Sequence, residues 1–513
     1  MTHSFDRPTV EDDARRKRFE HLPDDTKRLM KDRSNEQANL ENGPNLYQQR
    51  DRETDPEKKE VLEKAIAIAE AVKAEGGMAY IVGGYARDVA MQRMGYDIIP
   101  NDVDIEVYGI EPGRLTELLG NFGAANEVGK QFEVIKLKVA NEFIDVSLPR
   151  RDVKVGPGHK GFKTIPDPSM SVEEASRRRD FTVNAMLLDP LTGEMTDKHG
   201  GFTDMKFKVL RAVDRTTFVQ DPLRPLRAAR FAAQLGFDVE DDTIELCKGV
   251  ALSELPRERV GEEWMKLLLR SKKPSVGMEA AHELGIIEKL HPELQALEGA
   301  EQDPGYHPEG DVWTHTKMTV DAAAASVAGT ELTDDEKLIV IFGALCHDLG
   351  KPYTKGLGED GRITHHGHSD AGIPYAKSLL KSMNVPQAIV DRVLPIVAEH
   401  MTMLTTTELS DSAVKRLAKR LHPATLEELV AVSKSDSPSG GKLDRDELLR
   451  RASDLSVAKE KPKDILQGRD LLPLGFKPGK SMGDALRAVQ EAYLDGKVTT
   501  KEEAIEFVKK LRG

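Results

Sequence analysis

The spacing of apolar residues along this chain of 513 residues changes from helical to strand-like and back to helical. From residue 61 the apolar side chains recur every three to four positions, which is the period of an amphipathic helix. Short apolar stretches follow and predict strands, at residues 79–82, 103–107, 134–139 and 143–146. A helix with a short mixed sheet predicts an α/β head that ends near residue 190.

The rest of the chain has the helical period almost to its end. Residues 223–235 predict an amphipathic helix closed by Gly236, and a Pro/Gly/Asp-rich segment at 303–311 marks a boundary. A loop is expected at 435–442, and the last helix should begin with a capping box at Thr500 and Glu503. The whole pattern predicts an α+β protein of several domains, with a charged extension at 1–58, a head at 59–190, a helical neck and body at 191–302, a second helical domain at 303–440 and a helical tail at 441–513.

Composition narrows the class of protein. Residues 1–58 are highly charged with almost no apolar periodicity, so we expect them to be disordered. No apolar run is long enough to cross a bilayer, and two cysteines make neither a disulfide framework nor a zinc motif. We therefore expect a cytoplasmic protein without a membrane partner. The net charge of −13 argues against a general nucleic-acid binder, but a Lys/Arg-rich run at 204–230 could contact a phosphate backbone locally.

The strongest chemical pattern lies between residues 83 and 104. Asp102 and Asp104 stand two apart in an alternating apolar stretch, so on a strand both carboxylates would face the same side. Paired carboxylates suit Mg²⁺ that is shared with substrate phosphates. Upstream, Gly83 and Gly84 allow a backbone to approach a phosphate closely, and Arg87 can pair with it. Singly, each feature is common in turns; in this order they predict a nucleotidyl-transfer site.

Histidines concentrate in one segment of the second half of the chain, at His307, His315, His347, His365, His366, His368 and His400. His347 is followed directly by Asp348 at the end of an apolar run. Imidazoles and carboxylates from separate helices can assemble a metal site, and such a site can generate hydroxide for phosphoester hydrolysis. Asp436 is a candidate closing ligand and Asp391 a weaker one.

Together these residues resemble the bacterial class II CCA-adding tRNA nucleotidyltransferases that carry an HD phosphohydrolase domain. The motifs stand in the family's order: the glycine motif at 83–88, Asp-x-Asp at 102–104, Arg178 to Met186, Asp221 to Arg224, and Glu258-Arg259-x-x-x-Glu263. The HD segment is similar at 313–316, 347–351 and 366–368. One position departs from the family, because Gln220 stands where a Glu is usual in the base-reading motif.

The resemblance implies a nucleotidyltransferase head, a helical neck and body, and a helical HD domain, with roles for individual residues. Asp102 and Asp104 would hold Mg²⁺. Nucleotide contacts would come from Gly83, Gly84, Arg87, Arg179, Asp180, Asn184, Asp221, Arg224, Arg227 and Arg230. A divalent metal of unspecified identity would be held by His315, His347, Asp348 and Asp436, in a domain that hydrolyses phosphates at RNA ends, including 2′,3′-cyclic phosphate. The implied partners are tRNA, CTP and ATP.

Asp221 and Arg224 suggest a physical basis for nucleotide choice. A carboxylate accepts a hydrogen bond from an exocyclic amine, and a guanidinium donates one to a ring acceptor. Cytosine and adenine both present this pattern, whereas uracil and guanine reverse it and would leave buried groups unpaired. Without the surrounding motifs, the same pair would be a surface ion pair on a helix.

Other functions remain open from the sequence. A poly(A) polymerase shares the head motifs, and a partial CC- or A-adding enzyme is a further alternative, for which the loop around 151–165 is the segment to examine. A phosphohydrolase whose head only binds RNA is the alternative of another class, and the intact Asp102 and Asp104 argue against it. A purely binding role would leave both metal-type clusters unexplained.

Overall fold

The computed structural model describes residues 40–512, apart from 124, 129–133, 155–161, 408, 438–439 and 441. Residues 1–39 of the charged extension, and the centre of the loop at 151–165, lie outside the described residues. The chain divides into two compact units between Asp221 and Pro222.

A mixed β-sheet organises the first unit. Its strands are β1 (Met78–Val82), β2 (Asp104–Tyr108), β3 (Ala125–Val128), β4 (Val134–Val139), β5 (Glu142–Ser147), β8 (Leu187–Leu188) and β9 (Met195–Thr196), while β6 (Arg150–Lys154) and β7 (Phe162–Pro166) pair separately and β10 spans Val209–Leu210. The strand order in the seven-stranded sheet is β3-β4-β5-β2-β1-β8-β9. Neighbouring strands are antiparallel except β2 and β5, which run parallel. The four strands predicted at 79–82, 103–107, 134–139 and 143–146 are confirmed as β1, β2, β4 and β5.

The helices of this unit are α1 (Leu46–Arg52), α2 (Pro56–Ala74), α3 (Gly84–Arg93), α4 (Pro112–Gly120), α5 (Val172–Ser176), α6 (Gly201–Phe207) and α7 (Arg215–Phe218). The predicted amphipathic helix is α2, which packs on β1 and buries Val61, Ala65 and Ile68. Its apolar face thus covers the sheet that carries Asp104.

The expectation of disorder is wrong for residues 45–58. Leu46 is fully buried, and its N–H donates to the carbonyl of Pro190 at 3.0 Å. Asn45 caps α1, and Asp55 caps α2 by accepting from the N–H of Glu57. One buried leucine and two caps leave too weak a periodic signal to stand out in a charged segment.

The first unit also extends beyond the predicted boundary near residue 190. The N–H of Thr182 donates to the carbonyl of Arg211 at 3.0 Å, and the Thr182 hydroxyl donates to Asp204 at 2.6 Å. The N–H of Val213 donates to the carbonyl of Asp180 at 3.2 Å. These long-range bonds attach residues 200–213 to the head, and a local helical period cannot reveal them.

The second unit is mainly helical, so the α+β class is confirmed. Its helices are α8 (Arg224–Leu235), α9 (Asp241–Gly249), α10 (Arg257–Arg270), α11 (Pro274–Glu283), α12 (Ile286–Leu290), α13 (Pro292–Gln295), α14 (Val312–Val327), α15 (Asp334–Cys346), α16 (His368–Ser382), α17 (Gln387–Glu399), α18 (Thr402–Thr405), α19 (Asp411–Leu421), α20 (Leu426–Asp436), α21 (Arg445–Asp454), α22 (Gly468–Leu471), α23 (Lys480–Leu494) and α24 (Lys501–Arg512). Its short strands are β11 (Asp238–Val239), β12 (Gly356–Leu357) and β13 (Ile363–Thr364).

In this unit, local sequence patterns were largely sufficient to predict where a helix begins or ends. The helix predicted at 223–235 is α8, and Gly236 ends it in the left-handed conformation, with φ at 67°. The capping box of α24 is present, because Thr500 and Glu503 exchange side chain-to-backbone hydrogen bonds. The loop predicted at 435–442 starts too early, since α20 continues through Asp436. Within the described residues, no helix combines the length and apolarity that crossing a membrane requires.

Candidate functional sites

Asp104 opens β2 and lies between two strands. Its register partners are Val82 at the end of β1 and Asp145 on the parallel strand β5. Asp102 precedes β2 and has a φ of 60°, so it is not part of the strand. The expected strand geometry for the two aspartates is therefore wrong for Asp102, which reaches the site from a left-handed loop position.

The environment of Asp104 stabilises the neutral carboxyl more than water does. Burial, followed by the charges of Asp145 and Asp102, raises the pKa of Asp104 to about 6, against the lowering effect of Arg179 and Lys136. Asp145 pairs with Lys136 at 2.8 Å through one oxygen. Its other oxygen is buried and has no hydrogen-bond partner among the described residues. These carboxylates fit a divalent cation, which would offset their mutual repulsion.

The sequence analysis did not identify Asp145 as a residue of the aspartate site. The available signal was its place in the apolar run Phe143-Ile144-Asp145-Val146, where a charged residue is unusual. Only the parallel pairing of β5 with β2 shows that this carboxylate belongs beside Asp104.

Gly83 brings the glycine turn against the aspartate site. It precedes α3 and has a φ of 71°, a conformation that glycine adopts without strain. A Cβ atom at this position would lie 3.6 Å from Asp104 Oδ2 and 3.7 Å from Arg179 Nη1. The predicted residues Gly83, Asp104 and Arg179 are thus neighbours. Gly84 begins α3.

The remaining predicted head residues form a buried network. Arg87 pairs with Asp88 at 2.7 Å and donates to Asn184 Oδ1 at 3.0 Å. The Asn184 amide donates to Asp180 Oδ1 at 3.0 Å, and the same oxygen accepts from the N–H of Phe181 at 2.8 Å. This network holds the Arg-Arg-Asp-Phe-Thr segment in place beside the first turn of α3.

The predicted base-reading residues lie at the division between the units. Asp221 is the last residue of the first unit, and Arg224 is the first residue of α8 in the second. On the same helix, the Arg230 guanidinium donates to Glu263 of α10 at 2.5 Å, in a pair that is almost fully buried. Arg227 lies with its guanidinium 5.2 Å from the ring centre of Phe231.

A second cluster lies in the helical unit and brings the four predicted HD residues together. His315 lies on α14, His347 and Asp348 follow α15, and Asp436 ends α20. Asp436 Oδ1 is 2.8 Å from His315 Nε2 and 3.5 Å from His347 Nε2, and Asp348 Oδ2 is 3.1 Å from His347 Nε2. Asp391 is instead exposed and accepts from Gln387 at 2.7 Å.

The carboxylates of this cluster stabilise positive charge on its imidazoles. Burial alone would lower the pKa of His347, but Asp348 and Asp436 raise it to about 10. Burial would likewise raise the pKa of Asp436, yet His315 and His347 hold it below its usual range. His347 Nε2 and Asp348 Oδ2 are buried and lack a hydrogen bond of normal geometry within the described chain. Such imidazole and carboxylate donors fit a transition-metal ion.

Two further histidines of the cluster were missed as ligands. His368 Nε2 lies 3.3 Å and His400 Nε2 3.9 Å from Asp348 Oδ1. Lys351 Nζ lies 2.7 Å from the other oxygen, Oδ2, and donates to Gln302. The signal for His368 and His400 was the concentration of histidines in this segment, but their distance in sequence does not indicate which of them meet.

Three family models match parts of this chain. The "Poly A polymerase head domain" matches residues 79–211, and the "Probable RNA and SrmB- binding site of polymerase A" matches residues 236–297. A model described as tRNA nucleotidyltransferase domain 2 matches residues 372–508, across the boundary predicted at residue 440.

Curated relatives and solved structures agree with these matches. The chain is 36% identical over 349 residues to the multifunctional CCA protein of Pasteurella multocida, covering 67% of this chain and 78% of that protein. The Xanthomonas campestris protein of the same name is 32% identical over 433 residues, covering 81% and 97% of the two chains. The Bacillus stearothermophilus CCA-adding enzyme, solved in complex with CTP, is similar with a TM-score of 0.60 at 21% identity, covering 90% and 98%.

The fold and the aspartate site define a nucleotidyltransferase of the poly(A) polymerase superfamily. Within it, this chain belongs to the bacterial CCA-adding enzymes, the family of the multifunctional CCA proteins.

Proposed function

We propose that this chain adds C, C and A in turn to tRNA 3′ ends, taking the nucleotides from CTP and ATP without a template. The observation that carries the proposal is the convergence of Gly83, Asp104 and Arg179 at the ends of β1 and β2. The relatives named multifunctional CCA proteins support the choice of product.

Asp102 and Asp104 would hold Mg²⁺, and the unpartnered oxygen of Asp145 makes it a candidate third carboxylate. When bound, Mg²⁺ supplies positive charge that favours deprotonation of the tRNA 3′-hydroxyl and neutralises the leaving pyrophosphate. Asp102 and Asp104 would fix the place of that charge by holding the ion. No other acid or base is required from the chain, because phosphoryl transfer of this kind depends mainly on positioning and electrostatics.

The triphosphate would lie against the start of α3. Gly83 and Gly84 present backbone without side chains there, and the N-terminus of a helix favours phosphate. Arg179 provides a guanidinium next to Gly83. Arg87, Asn184 and Asp180 would orient the nucleotide through their buried hydrogen bonds.

Asp221 and Arg224 would choose the base. The carboxylate accepts from the exocyclic amine of cytosine or adenine, and the guanidinium donates to the adjacent ring nitrogen. With uracil or guanine, an acceptor would face the carboxylate and a donor the guanidinium, and buried groups left unpaired give strong discrimination. Gln220 is not required in this scheme, so its departure from the family leaves the base choice intact.

The histidine cluster would give the same chain a phosphohydrolase activity on RNA-end phosphates, including 2′,3′-cyclic phosphate. His315, His347, Asp348 and Asp436 would hold the divalent metal, which when bound supplies a hydroxide nucleophile at neutral pH. Lys351, which is buried against Asp348, would pair with a phosphate oxygen of the substrate. Hydrolysis would clear damaged tRNA ends before nucleotides are added again.

The test uses purified protein, Mg²⁺ and three tRNA transcripts: one that lacks CCA, one that ends in C, and one that ends in CC. Each transcript is offered labelled CTP, ATP, UTP or GTP, and the products are sized on a gel. We expect growth that stops at CCA without U or G. A long A ladder would indicate a poly(A) polymerase, and a stop at CC or addition of only the last A would indicate a partial enzyme.

Two variants separate the activities. Asp102→Ala should abolish nucleotide addition and leave hydrolysis of 2′,3′-cyclic phosphate intact, whereas His347→Ala should do the reverse. Asp97→Ala, an exposed aspartate in the same segment as Asp102, is the matched control and should change neither activity. If the unaltered protein adds no nucleotide to any transcript, the transferase proposal fails and the RNA-binding head with a phosphohydrolase domain is favoured.

A further inference from the structure

The N-terminal segment, residues 40–53, packs against the head although it precedes the part of the chain that the head-domain model matches. Asn45 donates from Nδ2 to the carbonyl of Leu191 at 3.1 Å. Leu46 is fully buried, and its N–H donates to the carbonyl of Pro190 at 3.0 Å. Both carbonyls belong to the turn between β8 and β9. The segment is therefore built into the head by contacts that are distant in sequence.

The N-terminal segment also holds helix α3 at both ends. At the start of α3, the Tyr85 hydroxyl donates to Gln49 Oε1 at 2.8 Å, and the Tyr85 side chain is almost fully buried. At the end of α3, Arg93 donates from Nη1 to the carbonyl of Leu40 and from Nη2 to that of Gly193, each at 2.8 Å. A helix of ten residues that is tied at its first and last turns cannot shift without breaking one of these bonds.

Helix α3 fixes the groups that would meet the triphosphate. Gly83 directly precedes it, and a Cβ atom there would lie 3.6 Å from Asp104 Oδ2. Arg87 follows in the first turns and donates to Asn184 at 3.0 Å. Tyr85 stands between these two positions. Because N–H···O bonds weaken beyond about 3.2 Å, a small displacement of this turn would loosen its hold on phosphate oxygens.

We propose that the N-terminal segment positions the phosphate-binding turn of the transferase site, and that Gln49 does so through Tyr85. Both are positioning residues, since they act through α3 and not on the nucleotide. The inference rests on the nucleotidyl transfer proposed above and adds a role for residues 40–53. Burial raises the pKa of the Tyr85 hydroxyl above its ordinary value of 10.0, so this hydroxyl remains a donor at neutral pH.

Calorimetric titration of the full-length protein with CTP and Mg²⁺ tests the proposal, because binding does not require turnover. Gln49→Ala and Tyr85→Phe should each raise the Kd about five-fold, the loss expected for one hydrogen bond of ordinary strength. Tyr85→Phe should add nothing in a Gln49→Ala background, since the contact is already lost. Tyr47→Phe is the matched control: its hydroxyl, also on α1, donates to Glu70 of α2 at 2.5 Å, so the Kd should not change.

Kinetics and stability separate the outcomes. On the transcript that lacks CCA, the KM for CTP should rise in step with the Kd while kcat changes little. A lower melting temperature with unchanged Kd and KM would overturn the inference, limit the segment to a stabilising role and leave the proposed transfer standing. If the unaltered protein adds no nucleotide, the proposed transfer fails and the Kd values decide alone. A non-additive weakening then supports the inference, whereas an unchanged Kd, or no CTP binding by the unaltered protein, overturns it.

Discussion

Asp104 and Asp145 lie opposite each other on the parallel strands β2 and β5. One oxygen of Asp145 pairs with Lys136, and the other is buried without a partner among the described residues. Asp104 therefore ionises next to a second carboxylate in a site shielded from water, which raises its pKa. The repulsion that makes the site costly without a metal also prepares it to bind one.

The first prediction concerns the pH dependence of nucleotide addition. Because the pKa of Asp104 is about 6, at subsaturating Mg²⁺ the rate should fall as pH drops through this value and protonation removes a ligand. Asp145→Asn should move the midpoint to lower pH, since it removes a repelling charge. Lys136→Met should move it to higher pH. The measurement is the initial rate of CTP incorporation between pH 5 and 8; equal midpoints in all three proteins would contradict the assignment.

The second prediction concerns stability. The pKa of Asp104 in the folded protein lies above the ordinary value of 3.8, so raising the pH through this window favours unfolding. Asp104→Asn should therefore raise the free energy of unfolding of the head by roughly 1–3 kcal/mol at pH 8 without Mg²⁺, and by nothing below about pH 4. Denaturant unfolding at both pH values checks this. Asp97→Asn, at an exposed position, should show no such difference.

The third prediction separates backbone strain at the glycine turn from contact with the aspartate site. Gly83 and Gly76 both have positive φ, at 71° and 83°, but a Cβ atom meets neighbours only at Gly83. Either change to Ala should destabilise the head by about 1–2 kcal/mol. Only Gly83→Ala should also reduce nucleotide addition, because its methyl group lies against Asp104 and Arg179. Equal loss of activity in both variants would show that strain alone is responsible.

The fourth prediction concerns Arg230, which was expected to bind nucleotide. Its buried pair with Glu263 joins α8 to α10, so Glu263→Ala should destabilise the helical unit by about 3–5 kcal/mol. The double change Arg230→Met with Glu263→Leu should be much less harmful, because no charge is left buried and unpaired. Denaturant unfolding measures both. If Arg230 also contacts nucleotide, the stable double variant will have a raised KM for CTP and ATP; an unchanged KM will limit Arg230 to a structural role.

Much of the fold could be predicted because it depends on local pattern. The alternating stretches became β1, β2, β4 and β5, and the apolar period at 223–235 became α8 with Gly236 at its end. Weak local signals failed: residues 46–52 and 56–58 are helical although their composition predicts disorder, and Asp102 lies outside β2 although the spacing suggested a strand.

By itself the sequence determined which elements form and which motif residues to examine, namely the glycine turn, the two aspartates and the His-Asp pair. Only the tertiary structure decided which distant side chains meet: Asp145 beside Asp104, His368 and His400 beside Asp348, and Glu263 with Arg230. The reason is physical. Periodicity records which face of one element is buried, whereas strand register and helix packing arise from the whole chain and bring together residues that no local spacing connects.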